Sequence, residues 1–217
     1  MNSLEIENGI LHIYNNDKKL AAIIDKVGEC RIKSRKDHYL SLLRSIIGQQ
    51  LSVQVADVIE QRFMKFFENK PSPEKILKAD VENLRALGMS YAKIKYVKDL
   101  SEKILNKEIH FRNLGKMTEE EIISEYTKVK GIGVWSVHMF LIFTLARLNV
   151  LPVGDLGLKK AVMITYNLRK LPDEKKIYLI SRKNNWAPYN SIASWYLWRS
   201  LELSNEINIK NQIIKTK

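Results

Sequence analysis

Again and again along this chain, a Ser, Thr or Asp stands directly before an apolar stripe of helical period. Such a residue accepts an N–H group of the first helical turn, and a stripe at i, i+3, i+4 buries one face. Asp17 precedes Leu20, Ile23 and Ile24, and Gly28 supplies the stop. Leu40, Leu43 and Ile47 form a second stripe. Ser52 opens a third, with Val55, Val58, Ile59, Arg62, Phe63 and Phe66 at helical spacing. Ser72-Pro73-Glu74 reads as a cap, a proline in the first turn and a carboxylate at the positive helix end. Asp80 starts a short helix that stops at Gly88, and Ser90 opens the next, with Ile94, Val97, Leu100 and Ile104 on one face. Thr118-Glu119-Glu120-Glu121 matches a capping box ahead of Ile122, Ile123 and Tyr126. Further helices are expected at about 134–147, 156–168, 173–182 and 188–203, and only Ile10 to Tyr14 looks like a strand. The pattern predicts an all-α chain.

At 217 residues the chain has room for one domain or two closely packed subdomains. No Gly/Ser- or Pro-rich linker and no solenoid repeat interrupts it. The net charge of +12 points to a polyanionic partner, of which nucleic acid is the commonest. No apolar run reaches the ~20 residues that span a membrane. The acidic start lacks the basic-then-apolar order of a secretory signal, so the chain is expected in the cytoplasm, or in the nucleus of a eukaryote. The sole cysteine, Cys30, forbids an internal disulfide and an iron–sulfur cluster held by four cysteines, and reads as small core filler. His12, His38, His110 and His138 are scattered without metal-ligand spacing, so no side-chain metal centre is expected. The last residues, 209–217, are basic and expected to fray.

The segment Tyr126-Thr-Lys-Val-Lys-Gly131-Ile132-Gly133-Val134-Trp135-Ser136 carries most of the functional information. One helix ends, two glycines bracket an apolar residue, and another helix begins at once. Glycine permits positive φ and lets a second backbone approach without a Cβ in the way. The amides that open the second helix then face outward at the positive end of its dipole, a seat for a phosphate of any nucleotide. Lys128 and Lys130 add charge beside it. A tight interhelical turn with no ligand accounts for two glycines equally well.

These residues belong to an ordered set of motifs. The others are Ser45-Ile-Ile-Gly-Gln-Gln-Leu-Ser52, Leu87-Gly88 followed by Lys93, and Leu151-Pro-Val-Gly-Asp155-Leu. Last comes Trp186-Ala-Pro-Tyr189-Asn-Ser-Ile-Ala193, followed by Tyr196-Leu197-Trp198-Arg199. Over about residues 17–203 the chain resembles the helix–hairpin–helix (HhH-GPD) DNA glycosylase superfamily, in its 3-methyladenine DNA glycosylase II branch. The resemblance implies two helical subdomains with a cleft between them. One comprises about 1–38 and 165–217; the other, about 39–164, contains the hairpin at 126–147. It implies double-stranded DNA with damaged bases as partner, bound by a monomer. It also implies a Na+ or K+ ion on hairpin carbonyls, here Thr127, Val129 and Ile132, and no other cofactor.

Asp155 falls where that family places its catalytic carboxylate. Read from its own neighbourhood it is an ordinary helix cap, set among Leu151, Val153, Leu156 and Leu158. Both roles are compatible. Breaking a glycosidic bond passes through an oxocarbenium-like state, whose positive charge a nearby carboxylate stabilises while orienting water. Family members that also cut the backbone carry a Schiff-base lysine where Trp135 stands, so release of the base without strand cleavage is expected. Lys128, Lys130, Lys159 and Lys160 remain as unsupported alternative nucleophiles.

Cationic alkylated purines suit an electron-rich aromatic pocket, for which motif positions nominate Trp135, Trp186 and Tyr189. Trp195 and Trp198 sit on a strongly apolar helix and are expected in the core, as are Tyr126, Phe140 and Phe143. The resemblance implies that the loop Gln49, Gln50, Leu51, capped by Ser52, enters the minor groove, with Gln50 or Leu51 filling the gap left by a flipped nucleotide. The family often has Arg where Asn190 stands and a pocket aromatic where Met139 falls. The expected activity is release of alkylated purines of the 3-methyladenine and 7-methylguanine type. The alternatives are another lesion, such as hypoxanthine or an oxidised base, and a non-catalytic DNA-binding module.

Overall fold

The computed structural model describes residues 3–215, with side chains over 4–203, so the expected fraying of 209–217 falls outside the described side chains. Among the described residues twelve helices follow one another: α1 (Ser3–Asn16), α2 (Lys18–Val27), α3 (His38–Gly48), α4 (Val53–Phe66), α5 (Pro73–Lys78), α6 (Val81–Ala86), α7 (Tyr91–Leu105), α8 (Glu119–Tyr126), α9 (Val134–Phe143), α10 (Leu156–Thr165), α11 (Glu174–Lys183) and α12 (Asn190–Lys215). Among the described residues there is no strand, as the capping pattern requires. Asp17, Ser52, Ser72, Asp80, Ser90, Thr118 and Asp155 each accept a first-turn N–H at the position expected of them. No described helix is long and apolar enough to cross a membrane.

Two compact units divide the chain, Met1–Ser34 with Leu141–Lys217, and Arg35–Phe140. In the first, α12 packs against α1, α2 and α10 around Ile13, Leu20, Leu158, Val162, Ile192 and Leu197. In the second, α7 packs against α3, α5 and α6, burying Leu43, Ile46, Ile76, Leu84, Val97 and Leu100. The division expected near residue 165 thus falls earlier, inside α9. Residues 141–164 join the first unit because α10 lies on α12, a contact that no local pattern announces.

Three further expectations are corrected. Ile10–Tyr14 is the second half of α1, since Ile6, Ile10 and Ile13 recur at helical spacing and Gly9 lies against Ile192 and Tyr189. α9 ends at Phe143 rather than near 147. There the Arg147 N–H returns to the Leu141 carbonyl at 2.8 Å, while the Ser191 hydroxyl donates to the Arg147 carbonyl at 2.6 Å and accepts the Val150 N–H at 2.9 Å. On α4, Ile59 and Phe63 are buried, whereas Val55, Val58 and Phe66 face outward. Cys30 is half-buried, and burial pushes its thiol up to about 11.

Candidate DNA-binding and base-excision site

In the second unit the hairpin alternates between anchors and exposed groups. Val129 and Ile132 are buried, while Lys128, Lys130, Gly131, Gly133, Val134 and Trp135 are exposed, and Thr127 is half-buried. Gly131 adopts φ +81°, and a Cβ there would fall 2.2 Å from Cδ2 of Tyr96, so this turn admits only glycine. Gly133 is different. A Cβ on it would meet no atom within 4 Å. Directly after it α9 begins, and its first N–H groups have no intrahelical acceptor.

The glutamine loop lies against the hairpin. Gln49 donates from Nε2 to the Gly131 carbonyl at 2.7 Å. Gln50 is exposed at φ 58°, a left-handed backbone that few non-glycine residues adopt, and Leu51 is half-buried. Ser52 is exposed and caps α4 by accepting the Val55 N–H at 3.4 Å. Lys93 donates to the Ile47 carbonyl at 2.8 Å, at the end of α3 just before the loop. Loop, hairpin, Lys93, Tyr96 and Trp135 line one cavity of 690 Å³. Trp135, 47% exposed, stands on its wall at the start of α9, which suits a stacking surface.

In the first unit Asp155 caps α10. Its Oδ1 accepts the Leu158 N–H at 2.5 Å and the Trp198 indole N–H at 2.8 Å. Leu151, Val153 and Leu158 are buried around it; Leu156 is exposed instead. A Cβ on Gly157 would lie 3.0 Å from Asp155 Oδ1 and 3.3 Å from Trp198 Cδ1, so the bare backbone at this position lets the indole reach the carboxylate. The Trp198 ring is tilted against Phe143, with centroids 5.7 Å apart. The core role expected of Trp198 is therefore only part of its function. An indole N–H on an apolar helix needs an acceptor, and Asp155 supplies it.

Two of the residues nominated for a pocket take part in the packing of the first unit. Trp186 is 0% exposed, donates to Asp17 Oδ2 at 2.9 Å and neighbours Tyr166, which also donates to that carboxylate. Its ring belongs to the core and offers no face to a ligand. Tyr189 packs on α1, beside Gly9 and with its ring 5.2 Å from that of His12, so its described contacts are structural. Asn190, where the family often has Arg, is buried, accepting from Ser181 and donating to Asn149, both at 2.7 Å.

The model of the HhH-GPD superfamily of base excision DNA repair proteins matches residues 43–186, a span holding the glutamine loop, the hairpin and Asp155. The chain belongs to this superfamily. It is 33% identical over 193 residues to DNA-3-methyladenine glycosylase 1 of Schizosaccharomyces pombe, covering 88% of this chain and 84% of that one. It is 31% identical over 194 residues to the alkylbase DNA glycosidase-like protein mag2 of the same yeast, covering 87% of this chain and 90% of that one. Its fold matches the S. pombe 3-methyladenine DNA glycosylase Mag1, solved in complex with abasic DNA, with a TM-score of 0.81 at 31% identity; the match covers 90% of this chain and 97% of that one. Among the described residues of this HhH-GPD protein, no group of three or more His, Cys, Asp or Glu side chains could hold a metal ion.

Proposed function

We propose that this chain is a monofunctional DNA N-glycosylase that removes alkylated purines of the 3-methyladenine and 7-methylguanine type from double-stranded DNA. The carrying observation is the carboxylate of Asp155, fixed on one oxygen by the Leu158 amide and the Trp198 indole at the start of α10. A group oriented before the substrate arrives needs no rearrangement when charge develops.

The amides of Gly133 and Val134 receive a backbone phosphate, with Lys128 adding sequence-independent attraction. The damaged nucleotide leaves the stack, and Gln50, exposed at the loop tip, fills the gap. Trp135 stacks on the extruded base. As the C1′–N bond breaks, its electron pair leaves with the base and positive charge spreads over C1′ and O4′. Asp155 stabilises that charge and orients the water whose oxygen bonds to C1′, giving an abasic sugar once its proton is lost. Trp135 stands where a strand-cleaving relative would need a lysine, so no lyase step follows.

A Na+ or K+ ion would sit on the carbonyls of Thr127, Val129 and Ile132. Hard, uncharged oxygen donors suit an alkali cation, and the buried Val129 and Ile132 side chains hold the turn that carries them. A bound cation there would add positive charge beside the phosphate. The protein acts as a monomer, in the cytoplasm or a eukaryotic nucleus; its half-buried single thiol fits a reducing compartment.

The test is incubation with duplexes carrying 3-methyladenine, 7-methylguanine, hypoxanthine or 8-oxoguanine, followed by alkali to reveal abasic sites. Release of the methylated purines with cleavage only after alkali is expected. Nicking without alkali overturns the monofunctional reading, release of another base changes the substrate class, and DNA binding with no release from any duplex leaves a non-catalytic module.

A further inference from the structure

The hairpin lysine that stands nearest the glycines is already engaged. Lys130 pairs its ammonium with Oδ1 of Asp99 at 3.0 Å, and its backbone N–H donates to Oδ2 at 2.9 Å. Asp99 is buried on α7, although it carries a charge of the same sign as DNA. Three residues earlier on α7, the Tyr96 ring lies flat against Gly131, and three earlier again Lys93 holds the end of α3. Residues spaced by three are neighbours on a helix, so these groups form a continuous stripe. Gln49 closes the circuit by donating to Gly131.

We propose that Asp99 is a positioning residue. Through both bonds to Lys130, and together with Tyr96 and Lys93, it makes α7 a keel that holds the hairpin and the glutamine loop in one register for the DNA backbone. This rests on reading the hairpin as a DNA seat. It also reassigns Lys130: beside Asp99 its charge is largely offset, so it serves as a fastener of the turn more than as a phosphate contact. A buried carboxylate near a phosphate weakens binding through charge alone, so its presence needs a compensating role. Holding the Lys130 amide supplies one, because that N–H precedes the positive-φ glycine and fixes where the α9 amides point.

The test separates charge from placement. Asp99→Asn and Asp99→Ala remove the same charge, but only Asn keeps an acceptor for the Lys130 N–H. Binding of each to a short duplex with a tetrahydrofuran abasic analogue is titrated across salt concentrations, alongside single-turnover base release at saturating enzyme. The keel predicts that Asp99→Ala binds roughly tenfold more weakly than Asp99→Asn at every salt concentration, the size of one lost neutral hydrogen bond at the upper end of its usual worth. Single-turnover release at saturating enzyme should follow the same order, the acceptor of Asp99→Asn rescuing what Asp99→Ala loses, whereas general loss of structure would lower both alike. Equal affinities for the two variants, or tighter binding by both, overturn the proposal. Should Asp99→Ala fail to fold, Asp99→Ser, whose hydroxyl is too short to reach the amide, takes its place with the same expected order. Wild type that binds no DNA would sink the DNA reading itself. Wild type that binds while both variants match each other would sink only the keel.

Discussion

α9 and α10 are successive helices in the chain, and their N-termini are built on opposite principles. α10 opens with Asp155, whose carboxylate takes one of its own first-turn amides and a distant indole. α9 opens after Gly133, which has no side chain to give. Both ends carry the same partial positive charge. At α10 the protein satisfies that end with its own anion, and the same oxygen of Asp155 is held by the Trp198 indole. At α9 the preceding Gly133 offers no capping side chain, and on the proposed function the opening amides take a DNA phosphate. On the proposed function the aspartate-capped terminus holds the catalytic group and the glycine-led one holds the DNA, and the one residue before each helix makes the difference.

Substitutions can break this contrast. The largest effect is expected at Asp155→Asn. Asparagine caps a helix about as well as aspartate, so the fold should change by less than ~1 kcal/mol while base release falls on the order of a thousandfold. Single-turnover kinetics beside a denaturant titration check both halves, and undiminished release would return Asp155 to being a cap alone. Next comes Gly131→Ala, where a Cβ meets Tyr96 at 2.2 Å and the backbone has φ +81°. Unfolding midpoints should report a loss of roughly 2 kcal/mol or more.

Trp198→Phe keeps an aromatic ring beside Phe143 but removes the N–H that holds Asp155. About a tenfold slower release is expected, the worth of one charge-assisted bond, with affinity for an abasic duplex preserved. A drop in affinity instead would assign Trp198 to binding. The smallest change sharpens the contrast between the hairpin glycines. Gly133→Ala has open space and no positive φ to satisfy, so stability should hold within about 0.5 kcal/mol while DNA affinity falls several-fold. Unaltered affinity would mean that no backbone approaches α9 at this point.

Acid should act on the hairpin through Asp99. Burial raises its carboxyl, but the bonds and charge of Lys130, with Lys103 nearby, outweigh that and hold it below the ordinary carboxylate range. The stability it contributes is therefore complete above that ordinary range and is lost as pH falls through its own lower value.

Local chemistry was legible in the linear chain because it depends on neighbours a few residues apart. The caps at Asp17, Ser52, Ser90 and Thr118, the all-helical class, the buried Tyr126 and Phe140, and the two-glycine turn all follow from i to i+4 relations. So does Asp155 as a cap. What sequence could not supply is which distant group each of these meets. Trp186 reads as a pocket residue and Trp198 as core, yet the first indole is buried on Asp17 and the second reaches Asp155. Lys130 reads as a cation for DNA until Asp99, thirty-one positions earlier, is found beneath it. Helix starts are decided within one turn by the backbone's own unmet donors, so sequence determines them. The partners of buried polar groups are decided by tertiary packing, because a buried donor takes whichever acceptor the fold brings within about 3 Å.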